Sequence, residues 1–370
     1  MQIEKIKIKN IGVIAYVYFC LDYNNSILSK NKFVGDLIKD IPRFKIGYAG
    51  FRTKKRLKKH LILSVFGSGK IKKIPKINFN KKIILKIIER SIKKCYKIFP
   101  LKPTRIFVFP SFNTFKKRRM QGIGGFCPGK SNILIDLNPT SGWKNALEKV
   151  IYHEFNHSIV SLPPKKWALI DSLIFEGLAD NFIQHFCHEK LPPWSKALSL
   201  KESKKFFKKI KNLLSLRSYK IHCQVFFENK KYPLWTGYSI GYQIVKSFLK
   251  KYKHLGWRKI MKLNPEEILE KSGFEQLRYR VRYVPPEIIG EHLACYYVEY
   301  KGKKIRPRAA IKLKIPLNEI WISEKLKNVT DKILFHELQE IRYRERGDSS
   351  KSAHKKAKRD DFLFRNKLKK

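Results

Sequence analysis

The segment at residues 141–160, SGWKNALEKVIYHEFNHSIV, constrains the fold of this chain more than any other stretch. Ser141 is a residue type that caps helix N-termini, and the segment behind it is predicted to be a helix. It contains the pattern His153-Glu154-x-x-His157. Residues four apart lie on one face of a helix, so both histidines can direct a ring nitrogen at one ion. Glu154 stands one step around the helix, where it can reach a water molecule on that ion.

A second predicted helix, at residues 168–186, supplies the ligand that two histidines lack. A catalytic zinc site takes three protein ligands and keeps a fourth position for water. Glu176 follows His157 by 19 residues, a separation that suits the return of a helix–loop–helix unit. Asp180 lies one turn beyond Glu176, where it can accept a hydrogen bond from a ligand histidine and fix its tautomer. The two segments therefore predict a zinc site between two helices.

The first 282 residues also contain strand patterns rich in β-branched and aromatic residues. These stand at residues 4–10, 11–19, 105–112 and 133–137. The glycine-rich stretch QGIGGFCPGKSN, at residues 121–132, is predicted to be a turn that leads into the last of these strands. Further helices are predicted at residues 82–98, 200–215 and 238–252.

The pattern changes near Tyr279, where RYRVRYVPPEIIG is followed by LACYYVEY, AAIKLKI and EIWIS, three segments predicted to be strands. Two predicted helices separated by Gly347 end the chain. Pro285 and Pro286 disfavour a helix that continues across this point. We therefore expect an α+β protein of two domains, residues 1–282 and a smaller α+β domain at residues 283–370.

The charge of the chain is strongly positive. Lys and Arg number 81 against 30 Asp and Glu, for a net charge of +51. The excess is mostly lysine and extends along the whole chain, as a coding bias produces, whereas nucleic-acid binders usually concentrate charge on one face. Weak, nonspecific anionic partners stay open as an alternative.

Cysteine spacing and hydropathy indicate where the protein is located. The six cysteines include no C-x-x-C pair and suggest no disulfide framework, which fits a reducing, cytoplasmic compartment. The longest uncharged apolar run, residues 11–21, is too short to span a bilayer, so no membrane span is expected. It follows lysines as a signal peptide does but lacks a small-x-small cleavage site, so a buried strand is favoured and a signal peptide is the alternative.

Four segments resemble DUF2268, a family of predicted zinc-dependent proteases. They are GIGGFCPGKSNILIDLNP, VIYHEFNHSIV, LIFEGLADNF and YPLWTGYSIGYQIVKSFLKKY, in this order over about residues 100–270. The wider resemblance is to gluzincin peptidases, in which H-E-x-x-H is followed on a neighbouring helix by a ligand Glu and then an acidic residue. Glu176 and Asp180 match these two positions. The resemblance implies a zincin-like metallopeptidase domain, a mixed sheet with active-site helices, in which His153, His157 and Glu176 bind one catalytic Zn²⁺.

The expected reaction is hydrolysis of a peptide bond in a peptide or protein substrate. A zinc-activated water attacks the carbonyl, and Glu154 serves as general base. Tyr238 is the chosen candidate for stabilising the oxyanion, with Tyr242 and His185 as further candidates.

Substrate binding is expected along an edge strand, as is common in zincins. ILIDL, at residues 133–137, is predicted to be that strand. Gly124 and Gly125 are predicted to contribute to substrate binding because glycine allows close backbone approach.

A second His-Glu pattern stands near the C-terminus, in LFHELQEIRYRERG. His336 and Glu340 share one helical face, and a helical hairpin at the following glycine brings His354 towards them. The three residues are a candidate set of ligands for a second metal ion. The segment resembles uncharacterised phage and archaeal proteins that look like minimal metallopeptidases. A helical hairpin held by surface salt bridges is the alternative.

Two other functions stay open beside the zinc metallopeptidase. One is a basic nucleic-acid-associated protein that uses a zincin fold as a scaffold, which the net charge suggests. The other is a phage- or toxin-like module that acts through the C-terminal His-Glu site. Metal content separates the first reading from the others, and salt-dependent nucleic-acid binding tests the second.

Overall fold

The chain folds into α-helices and mixed β-sheets, as the predicted α+β class requires. The computed structural model describes residues 3–10, 13–23, 29–39, 47–69, 74–99, 103–159, 168–186, 191–227, 230–274, 279–300 and 302–368. It divides into two compact units, Met1–Glu275 and Gln276–Lys370. This division lies near the predicted boundary at residue 282, and the assignment of two domains stays a prediction.

The first unit contains a five-stranded sheet in the order β1-β2-β3-β5-β4. Its strands are β1 (Glu4–Asn10), β2 (Val13–Phe19), β3 (Thr104–Pro110), β4 (Ile123–Gly129) and β5 (Asn132–Leu137). The pairs β2–β3 and β3–β5 are parallel, and the pairs β1–β2 and β4–β5 are antiparallel. The sheet is therefore mixed, with β4 at one edge.

Eleven α-helices of the first unit lie within the described residues. They are α1 (Lys30–Leu37), α2 (Lys54–Phe66), α3 (Lys81–Ile98), α4 (Thr114–Arg119), α5 (Trp143–Ile159), α6 (Leu169–Phe186), α7 (Leu200–Ile210), α8 (Tyr219–Phe226), α9 (Thr236–Lys251), α10 (Trp257–Ile260) and α11 (Pro265–Ser272). Among the helices that the structure describes in either unit, none combines the length and apolar character that crossing a bilayer requires.

Alternation along the strands gives the sheet two apolar faces. In β3, Ile106 and Val108 pack with α3 and α5, whereas Phe107 and Phe109 pack with α1 and α2. Successive side chains of a strand point to opposite faces, so a strand that is apolar throughout is buried on both. A separate apolar cluster joins α6, α7, α8, α9 and α11. The helix α5 thus lies on the sheet, with its polar pattern directed towards α6.

The second unit contains a four-stranded sheet in the order β6-β9-β7-β8. Its elements are β6 (Arg280–Val284), α12 (Pro286–Ile289), β7 (Ala294–Tyr300), β8 (Lys303–Ile305), α13 (Arg308–Lys312), β9 (Glu319–Ser323), α14 (Thr330–Glu345) and α15 (Ser350–Leu368). The helix α14 packs on the sheet through Leu334 and Ile341.

Three sequence expectations are wrong. The predicted glycine-rich turn at residues 121–132 contains the strand β4, in which Gly124 and Gly125 allow close packing against neighbouring side chains. ILIDL forms β5, which lies between β3 and β4, so it is not the edge strand. The segment AAIKLKI, predicted to be a strand, contains α13 instead, in which Ala310 packs against Cys295 and Ile315.

Candidate functional site

The helices α5 and α6 bring the predicted ligands together. Atoms of His153, His157 and Glu176 that can ligate a metal all lie within 4.8 Å of one another. The Nε2 atoms of the two histidines are 3.0 Å apart. Glu176 Oε2 lies 3.1 Å from Nε2 of His153 and 3.4 Å from Nε2 of His157.

These distances fit a zinc ion. Zinc binds histidine nitrogen and carboxylate oxygen at about 2.0–2.2 Å with tetrahedral geometry, so its ligand atoms stand about 3.3–3.6 Å apart. The three separations, 3.0, 3.1 and 3.4 Å, approach that spacing. The ring of His157 stacks on Phe175 at 3.9 Å between centroids, which fixes its plane. The donor set is that of His₂Glu zinc enzymes, and the residues present fit the ion.

A buried carboxylate orients the first histidine. Asp180 is fully buried, and its Oδ1 lies 3.0 Å from Nδ1 of His153. The same oxygen accepts a hydrogen bond of 2.9 Å from the indole N–H of Trp194. A carboxylate at Nδ1 places a proton on that nitrogen and directs Nε2 towards the other candidate ligands. The pairing predicted for Asp180 is therefore present, with Trp194 as a partner that the sequence did not indicate.

Two glycines allow α6 to pack closely against α9 next to Glu176. A Cβ on Gly177 would overlap the carbonyl of Gly241, so α6 and α9 touch backbone to backbone beside Glu176. The side-chain amide of Asn181 donates to the carbonyls of Gly177 and Tyr242, at 2.8 and 3.0 Å. The close contact requires glycine on both helices and holds α6 against α9 next to Glu176.

Hydrogen bonds and charges within the cluster shift the pKa values of His153 and Glu176. Burial works against the charged form of His153, but its hydrogen bonds to Asp180 and Glu176 outweigh burial and raise its pKa well above the ordinary value. Burial also works to raise the pKa of Glu176, but His157 and His153 hold that pKa far below its usual range. Both pKa directions favour a protonated His153 next to an ionised Glu176. A metal must displace that proton, so metal binding weakens as pH falls.

Glu154 differs from Glu176 and Asp180, which both lie within hydrogen-bond distance of His153. It is buried, and its Oε2 has no hydrogen-bond partner within the described part of the chain. Burial raises its pKa, and His153 and His157 partly offset that effect. A carboxylate with a raised pKa and an unpaired oxygen is suited to accept a proton near neutral pH.

A cleft of about 530 Å³ opens beside Glu154 and His153. Its apolar wall includes Phe115, Met120, Phe126, Phe227, Leu234 and Trp235. Three of these, Phe115, Phe126 and Phe227, are among the exposed large apolar side chains of the chain. Exposed aromatic rings gathered at one concave site mark a surface that binds apolar groups.

The edge strand β4 forms one side of the cleft through Gly125. A Cβ on Gly125 would stand 2.5 Å from Val150 and 2.6 Å from Glu154, both on α5. Glycine is therefore required for the strand to approach the helix beside Glu154. Gly124 lies next to Lys116 and Asp136, and a Cβ on Gly124 would stand 2.9 Å from Asp136 Oδ2. Both predicted glycines belong to β4, which is an edge strand of the sheet among the described residues.

The three candidates for oxyanion stabilisation differ in position. Tyr238 lines the cleft, where burial and then the carboxylate of Glu176 raise its pKa well above the ordinary value. Its phenol therefore stays protonated and able to donate at neutral pH. Tyr242 is buried and donates its hydroxyl to Gln184 at 2.8 Å. His185 is exposed and packs edge-on against Trp257.

The sequence motifs did not indicate an ion pair that lies at the cleft wall. Lys116 Nζ lies 2.6 Å from Asp136 Oδ2, and both side chains are largely buried. Ser64 donates to the same carboxylate at 2.6 Å and accepts from Lys116 at 2.7 Å. Lys116 also lines the cleft. The residues lie on three separate elements, so no local spacing indicated the contact.

The second predicted cluster is also assembled. His336, Glu340 and His354 offer ligand atoms within 4.8 Å of one another, all within the second unit. The first cluster belongs wholly to the first unit. Each set of three candidate ligands therefore lies within one unit.

A buried His-His-Glu cluster beside an unpaired carboxylate and an apolar cleft is typical of zinc-dependent hydrolases. The family comparison agrees: residues 84–270 match DUF2268, described as a predicted Zn-dependent protease. The chain belongs to this family. The matched residues contain the first cluster and the cleft, and they end before the second unit. No curated protein matches the chain.

Proposed function

We propose that the first unit is a gluzincin-like zinc metallopeptidase with a zincin-like fold, which hydrolyses peptide bonds. The observation that carries the proposal is the convergence of His153, His157 and Glu176 on one point, with Glu154 unpaired beside the cleft. Family membership supports it. Asp180 would orient His153 for this role.

The proposed chemistry divides between the ion and the chain. When bound, zinc supplies Lewis acidity, which polarises a carbonyl and lowers the pKa of a water molecule. Glu154 takes a proton from the attacking water and delivers it to the leaving amine. Tyr238, protonated in the cleft wall, donates a hydrogen bond to the oxygen on which negative charge develops.

The substrate is proposed to be an extended peptide that pairs with the outer edge of β4. An exposed edge strand presents unpaired N–H and C=O groups that a peptide can bind. Gly125 allows that strand to lie against α5, which brings a paired peptide near Glu154. The exposed rings of Phe115, Phe126 and Phe227 support a preference for a large apolar side chain close to the scissile bond.

Zinc removal and one pair of variants test the proposal. Peptide hydrolysis should stop on chelation and return with zinc. His153→Ala should lose both the zinc of the first unit and the hydrolysis. His254→Ala, a matched control at an exposed histidine of the same unit, should keep both. If His153→Ala cleaves peptides at the rate of the control, the proposed site does not carry the activity.

A peptide library tests the proposed substrate class. Sequences with Leu or Phe next to the cleaved bond should be hydrolysed faster than matched sequences with Asp at that position. Phe227→Ala should narrow the difference, because the side chain forms part of the apolar wall. Equal rates for the two peptide sets would contradict the preference while leaving the zinc chemistry untouched.

We also propose that the protein is cytoplasmic. The described cysteines are free thiols, in agreement with a reducing compartment. Cys187 lies outside the described residues. Nonspecific anionic partners and a nucleic-acid-associated role stay hypotheses, which the salt dependence of nucleic-acid binding would test.

A further inference from the structure

The second unit contains a cluster of two histidines and a glutamate that the family match does not cover. His354 Nδ1 lies 2.8 Å from Glu340 Oε2 and 3.3 Å from His336 Nε2. The third separation, between His336 Nε2 and Glu340 Oε2, is 3.8 Å. The mean of these separations is close to the spacing of about 3.3–3.6 Å that ligand atoms of a tetrahedral zinc site adopt.

A buried tyrosine orients the glutamate. Tyr296, on β7, has no exposed surface and donates its hydroxyl to Glu340 Oε1 at 2.9 Å. That bond leaves Oε2 directed at the two histidines. Metal-ligating carboxylates are commonly held in this way by a hydrogen bond from outside the ligand set. A hairpin joined only by surface salt bridges would not need a buried partner for the carboxylate.

The spacing on α14 repeats that on α5. His336-Glu337-x-x-Glu340 has the first and fifth positions in the cluster, as His153-Glu154-x-x-His157 does. Positions i and i+4 lie on one helical face, so each helix presents two ligands from one turn. In each case the third ligand comes from the helix that follows.

The helix α15 is held against α14 with little apolar contact near the cluster. Among its side chains at residues 350–360, only Ala353 and Ala357 are buried, and they flank His354. Each alanine buries a single methyl group, so the two side chains add little apolar area to the contact. Polar contacts also join the two helices, such as the hydrogen bond of 2.6 Å that the Tyr343 hydroxyl donates to Asp360.

We propose that His336, Glu340 and His354 bind a divalent transition metal ion that fastens α15 to α14. Two imidazoles and one carboxylate suit zinc, whereas calcium and magnesium prefer sets made only of oxygen ligands. The ion joins two helices of a unit of fewer than 100 residues, a size at which a bound metal contributes strongly to folding. This site is independent of the proposed peptidase activity.

Zinc stoichiometry of the full chain tests the proposal. After saturation with zinc and removal of the unbound ion, the wild-type chain should hold two zinc ions. His354→Ala should hold one zinc ion. The double variant, in which His153 and His157 are both replaced by Ala, should also hold one. The triple variant, which combines all three replacements, should hold none. His292→Ala, a control at an exposed histidine of the second unit, should hold two.

The outcomes separate the two sites. If His354→Ala holds as much zinc as the wild type, the second site does not exist, whatever the state of the first. His354 has 60% of its side chain exposed, so its replacement removes few packing contacts besides the proposed ligand atom. Cobalt(II) provides a second readout. Its visible absorption should appear in the double variant and vanish in the triple variant, and equal spectra would overturn the proposal.

Tyr296→Phe tests the positioning role separately. It removes the hydroxyl that holds Glu340 but keeps the three ligands and most of the buried ring. Metal affinity at the second site should fall by about 10- to 100-fold. The affinity of the first site in the same protein should not change. If neither affinity changes, the hydrogen bond to Glu340 does not position a ligand.

Discussion

Replacing Asp180 with Asn changes one atom next to the proposed zinc site and removes one buried charge. Asp180 Oδ1 accepts from both His153 and Trp194 at 3.0 and 2.9 Å, and the residue is fully buried. An Asn carbonyl can accept both hydrogen bonds, but its amide then stands where Oδ2 has no partner within the described residues. If the Asn side chain were flipped, its NH₂ group would face the N–H groups of His153 and Trp194.

The expected loss follows from these contacts. Hydrogen bonds to charged groups contribute about 1.5–3 kcal/mol and neutral ones about 0.5–1.5, so the neutral Asn holds His153 about 1–1.5 kcal/mol more weakly. An unsatisfied buried amide adds about 1–3 kcal/mol of cost to the folded state. The weaker hydrogen bond to His153 alone corresponds to a loss of about 5- to 13-fold in zinc affinity, and losing the carboxylate partner of a ligand histidine typically costs about 10- to 100-fold.

Competition for zinc with a chromogenic chelator measures that affinity. Trp194→Phe is the matched control, because it removes the other donor to Asp180 and leaves the charge and the bond to His153 in place. It should cost less than about tenfold in affinity. If Asp180→Asn is folded and binds zinc within about threefold of the wild type, the carboxylate does not support His153 as a ligand.

The remaining predictions concern the cleft and the helix contact. Tyr238→Phe should lower kcat by about 10²- to 10³-fold with zinc retained, as for loss of an oxyanion donor, and a near-normal kcat would make the residue structural. Gly125→Ala should abolish hydrolysis because its methyl group would strike Glu154, whereas Gly256→Ala, whose Cβ meets nothing within 4 Å, should not. Gly241→Ala should lower the free energy of unfolding by about 1–3 kcal/mol, since overlap with a carbonyl on α6 exceeds the gain of about 1 kcal/mol in helix propensity. Chemical denaturation checks this, and a stabilised variant would show that the two helices do not touch there.

The sequence predicted that the three proposed ligands lie together because their spacing is local. His153 and His157 are one helical turn apart, and a helix return of 19 residues brings Glu176 back to them. Asp180 follows from the same periodicity, one turn after Glu176. These positions are determined by the 3.6-residue repeat and one short connection, so few folds could separate them.

The contacts around the cleft could not be predicted from local spacing. Trp194 stands in a proline-containing loop and reaches Asp180 through tertiary packing, with no periodic signal. Lys116 meets Asp136 across separate elements. Glycine is common in turns, so Gly124 and Gly125 indicated a turn, although in β4 they serve the approach of a strand to a helix.

The second unit shows the same limit for short elements. The alternating segment AAIKLKI has the period of a strand, but only five residues around Ala310 form a regular element, and that element is the helix α13. A preceding proline favours the start of a helix, and Ala310 packs against Cys295 and Ile315 in the core. The helical turn is therefore favoured over a strand. By contrast, α14 and α15 extend over many turns, and their periodicity identified them.

Glu154→Gln tests the central claim most directly, because it removes the proposed base and keeps the proposed ligands. Glutamine has the shape of glutamate, so His153, His157 and Glu176 should still bind zinc with the wild-type stoichiometry. Peptide hydrolysis should fall by about 10²-fold or more, as for loss of a general base. Zinc content and kcat measured on the same preparation decide the matter. Full zinc content with near-wild-type kcat would contradict the account, because Glu154 would then have no part in the reaction.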